Sequence, residues 1–187
     1  MIKAIIFDCF GVLTNDGWKE IREEYCTSPE KLQEAHDIDV AANNGDMSYD
    51  DFIARITQLT GLSTSEVNDR IDTRRNNEQL FHYIRDTLRP KYSIALLSNA
   101  ADNWLSNMFK PWQVQLFDVV TLSCAVGVVK PQPEIYYSAL SKLGVEPAEA
   151  IFVDDVEKYC EGARQLGMQA IQYEDFDTFR AKLENIL

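Results

Sequence analysis

A chain of 187 residues with 45% apolar and 11% aromatic side chains can bury a substantial core, as one domain or one domain with an insertion. Its formal net charge of −12 argues against a general nucleic-acid binder, which needs a basic surface. No apolar run approaches the roughly 20 residues of a membrane helix, and Asp8 interrupts the short apolar start before any signal-like cleavage segment. The four cysteines, Cys9, Cys26, Cys124 and Cys160, are scattered without the paired spacing of a zinc site or disulfide framework. The expectation is a cytoplasmic globular protein, a monomer or homodimer, with neither nucleic acid nor membrane as partner. An anionic small molecule stays open, because one bound divalent cation and a few local lysines can dominate a pocket.

The first element is the run Ile2 to Phe7, apolar and β-branched, delivering Asp8 to the C-terminal edge of a central strand. From Asn15 to about Thr87 the pattern is helical. Trp18, Ile21, Arg22 and Tyr25 mark a first short helix. Pro29 suits the first position of a second, running to about Ala42 with Leu32, Ala35, Ile38 and Ala41 on one stripe. Asn43 to Asp46 is turn chemistry. Ser48 caps a helix carrying Phe52, Ile56 and Leu59 that stops at Gly61. Ser63 and Glu66 form a capping box for a helix to about Thr73. Asn76 to Leu88 is the last, with Leu80, Tyr83 and Ile84 inward, before Arg89-Pro90 breaks it.

Strand character resumes at Ser93 to Leu97, ending in Ser98-Asn99. A helix is expected over Asp102 to Phe109 and a short strand over Phe117 to Val120. Trp104, Phe109 and Trp112 read as an aromatic cluster for the core or a subunit contact. Lys130-Pro131-Gln132-Pro133 leads into a helix reaching Leu143, with Gly144 as its stop. Ala150 to Val153 is a strand closed by Asp154-Asp155, Glu157 to Leu166 a helix, Met168 to Ile171 the last strand and Asp175 to Ile186 a terminal helix. This βα alternation predicts a three-layer, Rossmann-like α/β sandwich with a five-stranded parallel sheet. Residues 1–14 and 89–187 would form the core, and residues 15–88 an inserted all-helical cap.

Ligands of open α/β sheets bind beyond the carboxyl ends of the strands, where Asp8, Ser98, the Lys130 loop and Asp154-Asp155 all fall. Adjacent aspartates repel unless a cation or lysine is present. With Asp8 they offer the hard oxygen ligands that magnesium takes, together with a substrate phosphate. Lys130 would pair with the carboxylates, and Ser98 would hold a phosphate oxygen. Cys9 reads as packing, and His36 and His82 as surface positions. Asn15, Asp16 and Trp18 stand where the chain enters the cap, able to touch substrate or flank a hinge.

Phe7 to Leu13, Leu96 to Asn99, Lys130 to Tyr136 and Phe152 to Asp155 resemble, in order and spacing, the four motifs of the haloacid dehalogenase-like hydrolase superfamily. The resemblance runs the full length, and is strongest to the small sugar-phosphate phosphatases and the phosphatase domain of soluble epoxide hydrolases. It implies a magnesium-dependent phosphatase acting on a small phosphorylated metabolite, such as a sugar phosphate. Asp8 would be the nucleophile that forms an aspartyl-phosphate, and Ser98 with Asn99 would bind the phosphate. Lys130 would steady Asp8 and the phosphate. Asp8, Asp155 and the Phe10 carbonyl would hold Mg2+, with Asp154 binding it or a metal-bound water.

One position departs from the phosphatase pattern. Where such phosphatases carry an aspartate as general acid and base, this chain has Phe10, which has no proton to give. The 2-haloacid dehalogenases have an aromatic residue there, but lack the Asp154-Asp155 pair. The readings are therefore a phosphatase that finds its acid elsewhere or works slowly, a dehalogenase, or a binding protein on the same fold. A binding protein would fill its cleft with side chains such as Phe10 and Trp18. An enzyme would present polar cap residues to Asp8.

Overall fold

The computed structural model describes residues 1–72, 75–100 and 108–187. Five parallel strands form one sheet: β1 (Ala4–Phe7), β2 (Ser93–Ser98), β3 (Val119–Leu122), β4 (Ala150–Asp154) and β5 (Gln169–Gln172), in the spatial order β3-β2-β1-β4-β5. The strands alternate with a period of two, and both faces are covered, as parallel sheets require. Ile5, Phe7, Ile94, Leu96, Ile151 and Val153 face one apolar cluster. Ile6, Ala95, Leu97, Ala150 and Phe152 face the other. Helices α8 (Pro133–Leu143) and α9 (Glu157–Gln165) cover the second face through Ile135, Tyr136, Leu140 and Ala163. Helix α10 (Phe176–Ile186) covers the first through Phe179 and Leu183.

Between β1 and β2 lie α1 (Gly17–Tyr25), α2 (Pro29–Asn44), α3 (Tyr49–Thr60), α4 (Thr64–Asp72) and α5 (Glu78–Tyr83), the last continuing into a π-helical turn over Ile84–Leu88. Their starts follow the capping residues. Asp16, Ser28, Ser48 and Asn77 each accept a backbone amide at an N-terminus, and Ser63 and Glu66 exchange hydrogen bonds reciprocally. Helices α1 to α4 share an apolar cluster of their own, with Trp18, Ile21, Ile38, Ile53, Ile56 and Val67. Within the same inserted stretch, Leu80, Phe81, Ile84 and Leu88 instead pack in the sheet-side cluster.

Several boundaries differ from the sequence reading. Leu32 is 51% exposed, and of the stripe read from the sequence Ala35 and Ile38 are the residues that reach full burial, so the buried stripe of α2 begins one helical turn later than expected. Strand β1 begins at Ala4, after Lys3 N donates to Glu149 O. Strand β3 begins two residues later than expected, because Phe117 still closes the turn after the short helix α6 (Pro111–Val114). Asn76 is in a bridge with Thr14, so the last inserted helix starts only after Asn77. Phe109 and Trp112 pack on the sheet-side cluster. Trp104 and most of the helix expected from Asp102 lie outside the described residues. A one-turn helix, α7 (Ser123–Val126), follows β3 directly.

Candidate active site

The site begins with register. Phe7 of β1 pairs with Val153 of β4, and Asp8 N donates to Val153 O at 2.8 Å. The next residue on each strand is an aspartate, so Asp8 and Asp154 emerge side by side with the same parity. Both are buried, 5% and 0% exposed, and two carboxylates so placed cannot both stay charged without a counter-ion.

Lys130 supplies it. The ammonium is 2.7 Å from Asp8 Oδ1 and 2.6 Å from Asp154 Oδ2, and lies over the rings of Tyr159 at 4.8 Å and Phe152 at 5.6 Å. Its backbone is fixed by Asn99, whose Oδ1 accepts the Lys130 amide at 2.8 Å. The second oxygen of Asp154 accepts Val156 N at 2.9 Å, so both of its oxygens are engaged by protein. One ammonium facing two carboxylates leaves surplus negative charge. Burial, with the field of Asp154 added and Lys130 opposing, pushes the Asp8 carboxyl up to about 8. The Lys130 ammonium, though buried, is driven above its ordinary value by the two carboxylates.

Asp155 completes the group. Ligand oxygens of Asp8, Asp154 and Asp155 all lie within 4.8 Å of one another, close enough for one divalent cation. The turn after Asp8 makes room for it: Leu13 N and Thr14 N both donate to Cys9 O, and Gly11 has φ +81. A Cβ on Gly11 would stand 2.5 Å from Asp155 Cγ, so only glycine lets this turn and that carboxylate coexist. An all-carboxylate donor set with a glycine cradle fits a hard oxygen-seeking cation.

Ser98 is fully buried at the end of β2, its hydroxyl donating to Asn99 O at 3.2 Å. Cys9 is buried, and burial with the nearby Asp8 charge holds its thiol well above the usual range, which suits packing and not nucleophilic attack. His36 and His82 are exposed, His82 stacking on Trp112. Trp18 packs in the cluster of the inserted helices and donates to Asp39, while Phe10 packs on the sheet-side cluster. Asn15 Oδ1 accepts Arg75 N at 2.9 Å, tying the segment before α1 to the segment before α5. The residue the sequence reading missed is Lys19, whose ammonium reaches Asp155 Oδ2 at 2.9 Å. A lone lysine on an amphipathic helix carries no signal of such a contact.

A parallel sheet with this order and a lysine-clamped carboxylate cluster at its carboxyl edge defines a class of hydrolase. Residues 2–167 match the model of the haloacid dehalogenase-like hydrolases, and the chain belongs to that family. Among similar proteins is bifunctional epoxide hydrolase 2 of Sus scrofa, 38% identical over 109 residues, 54% of this chain and 19% of that protein. The chain spans less than a fifth of the length of several curated relatives it matches. A D-ribitol-5-phosphate phosphatase of Bacteroides thetaiotaomicron is 27% identical over 100% of this chain and 99% of its own. An enzyme of the same family and organism, solved with magnesium and inorganic phosphate, superposes with a TM-score of 0.71 at 25% identity, covering 96% of this chain and 99% of that one. Among the described residues no helix is long and apolar enough to cross a membrane.

Proposed function

We propose that the protein is a magnesium-dependent phosphatase of small phosphorylated metabolites, with a polyol or sugar phosphate as the class of substrate. The observation that carries this reading is the convergence of Asp8, Asp154 and Asp155 on one point beside Lys130. A haloacid dehalogenase needs one carboxylate as nucleophile and has no evident use for the Asp154-Asp155 pair, since a halide leaves without an acid or a metal. The full-length similarity to a ribitol-phosphate phosphatase supports the substrate class.

In this reading Asp8, Asp155 and the Phe10 carbonyl would hold Mg2+, and Asp154, paired with Lys130, would bind the ion as well or hold a water on it. The cation would neutralise charge on the phosphoryl group being transferred. Asp8 attacks phosphorus through a carboxylate oxygen, the bond to the leaving alkoxide breaks, and an aspartyl-phosphate forms on Asp8. Lys130 favours the charged form of the attacking carboxylate against its burial and aligns it, the cation would favour that form further, and Ser98 with the amides that follow binds the phosphate oxygens. Asn99 positions the Lys130 loop and borders the same oxygens. Water then cleaves the aspartyl-phosphate, restoring Asp8 and releasing phosphate.

Phe10 favours a second reading, dehalogenation, because it leaves the leaving-group side without an acid. One assay separates the two. Polyol and sugar phosphates and p-nitrophenyl phosphate are incubated with Mg2+ or with chelator, beside halide release from 2-chloropropionate. Mg2+-dependent phosphate release supports the phosphatase, metal-independent halide release supports the dehalogenase, and silence in both arms leaves a binding protein.

A further inference from the structure

Lys19 ties the inserted helices to the carboxylate cluster. Its contact with Asp155 bridges 136 positions of chain. The lysine side chain is 43% exposed and that of Asp155 15%, so Lys19 approaches from the solvent side, whereas Lys130 is buried. Its anchor is fixed: Asp16 Oδ1 accepts Lys19 N at 3.0 Å, and α1 lies so close to α4 that a Cβ on Gly17 would be 2.6 Å from Arg70 O. The flexible part is the four-carbon stem, which carries a compact point charge.

The carboxylate charge is thus divided between two lysines. Lys130 answers Asp8 and Asp154, and Lys19 answers Asp155, the most accessible of the three. A hard divalent cation at this cluster seeks the same carboxylate lone pairs, and two positive centres on one carboxylate repel each other strongly wherever water is partly excluded. We propose that Lys19 competes with the divalent cation for Asp155, so that metal loading and engagement of the inserted helices on the site oppose each other. By linkage the opposition is reciprocal: whatever favours the Lys19–Asp155 contact weakens the metal, and the metal releases Lys19. The inference rests on the reading of Asp8, Asp154 and Asp155 as a metal site.

The test is a Mn2+ titration of wild type, Lys19→Met and Lys19→Arg, following free aquated Mn2+ by its paramagnetic resonance signal. Lys19→Met is expected to bind Mn2+ about 3- to 30-fold more tightly than wild type, the range set by a half-exposed ion pair with repulsion added. Lys19→Arg, which restores the charge, is expected to return affinity to near the wild-type value. Equal affinity in wild type and Lys19→Met overturns the competition, and weaker affinity in Lys19→Met overturns it in favour of a lysine that steadies Asp155 for the metal. Absence of Mn2+ binding to all three proteins, each checked for wild-type circular dichroism, overturns the metal reading itself and this inference with it.

Discussion

At the scale of single residues, the site is a charge imbalance held in place by burial. Asp8 and Asp154 share one ammonium, and burial, with the charge of Asp154 added, lifts the Asp8 carboxyl from 3.8 to about 8. The sign for stability follows from a raised carboxyl. Between those two pH values the native state keeps a proton that the unfolded chain has released, so stability falls as pH rises through that window. Asp8→Asn removes the titration and leaves Lys130 with one carboxylate. With chelator present at pH 8, the variant is expected to melt on the order of 2–4 °C above wild type and to show a shallower pH slope in thermal scans, the raised carboxyls of Asp154, Asp16 and Asp39 remaining. Its phosphate turnover with Mg2+ is expected to be undetectable, and substantial turnover would remove Asp8 from the nucleophile's role. Phe10 is the second test at this scale. Phe10→Asp is expected to raise p-nitrophenyl phosphate turnover by about tenfold or more if a missing acid–base group limits the rate, with Phe10→Asn unchanged as the control for altered packing. Equal rates in both variants would locate the limit elsewhere.

At the scale of elements, capping and stop residues marked helices well because they act through neighbours in sequence. Ser48, read as a cap from the sequence, bonds an amide of its own helix, as do Asp16, Ser28 and Asn77, which the sequence reading does not single out as caps, and α8 begins at Pro133 and stops before Gly144. The errors came where a neighbour distant in sequence decided. Leu32 fitted the stripe of α2 yet faces solvent, and Asn76 was drawn from its helix into a bridge with Thr14. The α1–α4 contact is an element-level dependence open to test. A Cβ on Gly17 would meet Arg70 O at 2.6 Å and Ile71 Cα at 2.8 Å, both backbone atoms that cannot swing aside. Gly17→Ala is expected to cost about 1–3 kcal/mol of local stability, seen as faster hydrogen exchange over residues 17–25 and 64–71 with the sheet strands unaffected. Unchanged exchange in both helices would show that the approach has slack.

At the scale of the whole molecule, the inserted helices meet the sheet and its flanking helices at the carboxylate cluster and beyond it. Lys19 contacts Asp155 on one side. On the other, the Ser123 hydroxyl accepts Ala100 N at 2.9 Å and faces two acceptors, Asn43 O at 2.9 Å and Ala100 O at 3.2 Å. One proton with two acceptors can serve Asn43 at the end of α2 or Ala100 after β2. Ser123→Ala is expected to free the C-terminal turn of α2 and to leave the buried Ala100 amide without its partner, a loss of about 1–3 kcal/mol. Denaturant unfolding and hydrogen exchange at residues 41–43 check it; wild-type values in both would deny Ser123 any part in holding α2.

The sequence by itself determined the sheet-and-helix alternation, the strand ends that bear Asp8, Ser98 and Asp154-Asp155, and the loop that bears Lys130, because periodicity, caps, proline and strand-terminal carboxylates are local signals. It also carried the four motifs of the family. Only the tertiary structure decided which lysine neutralises which aspartate. Register between β1 and β4 brings Asp8 beside Asp154, Lys130 is spent on that pair, and Asp155 is left to Lys19 from a helix 136 positions away. Such contacts depend on the packing of α1 against α4 and on a glycine at position 11 that admits Asp155. Charge pairing across that much chain leaves no periodicity to read, since a lysine bound for a carboxylate cluster and one bound for solvent occupy the same place on a helical wheel.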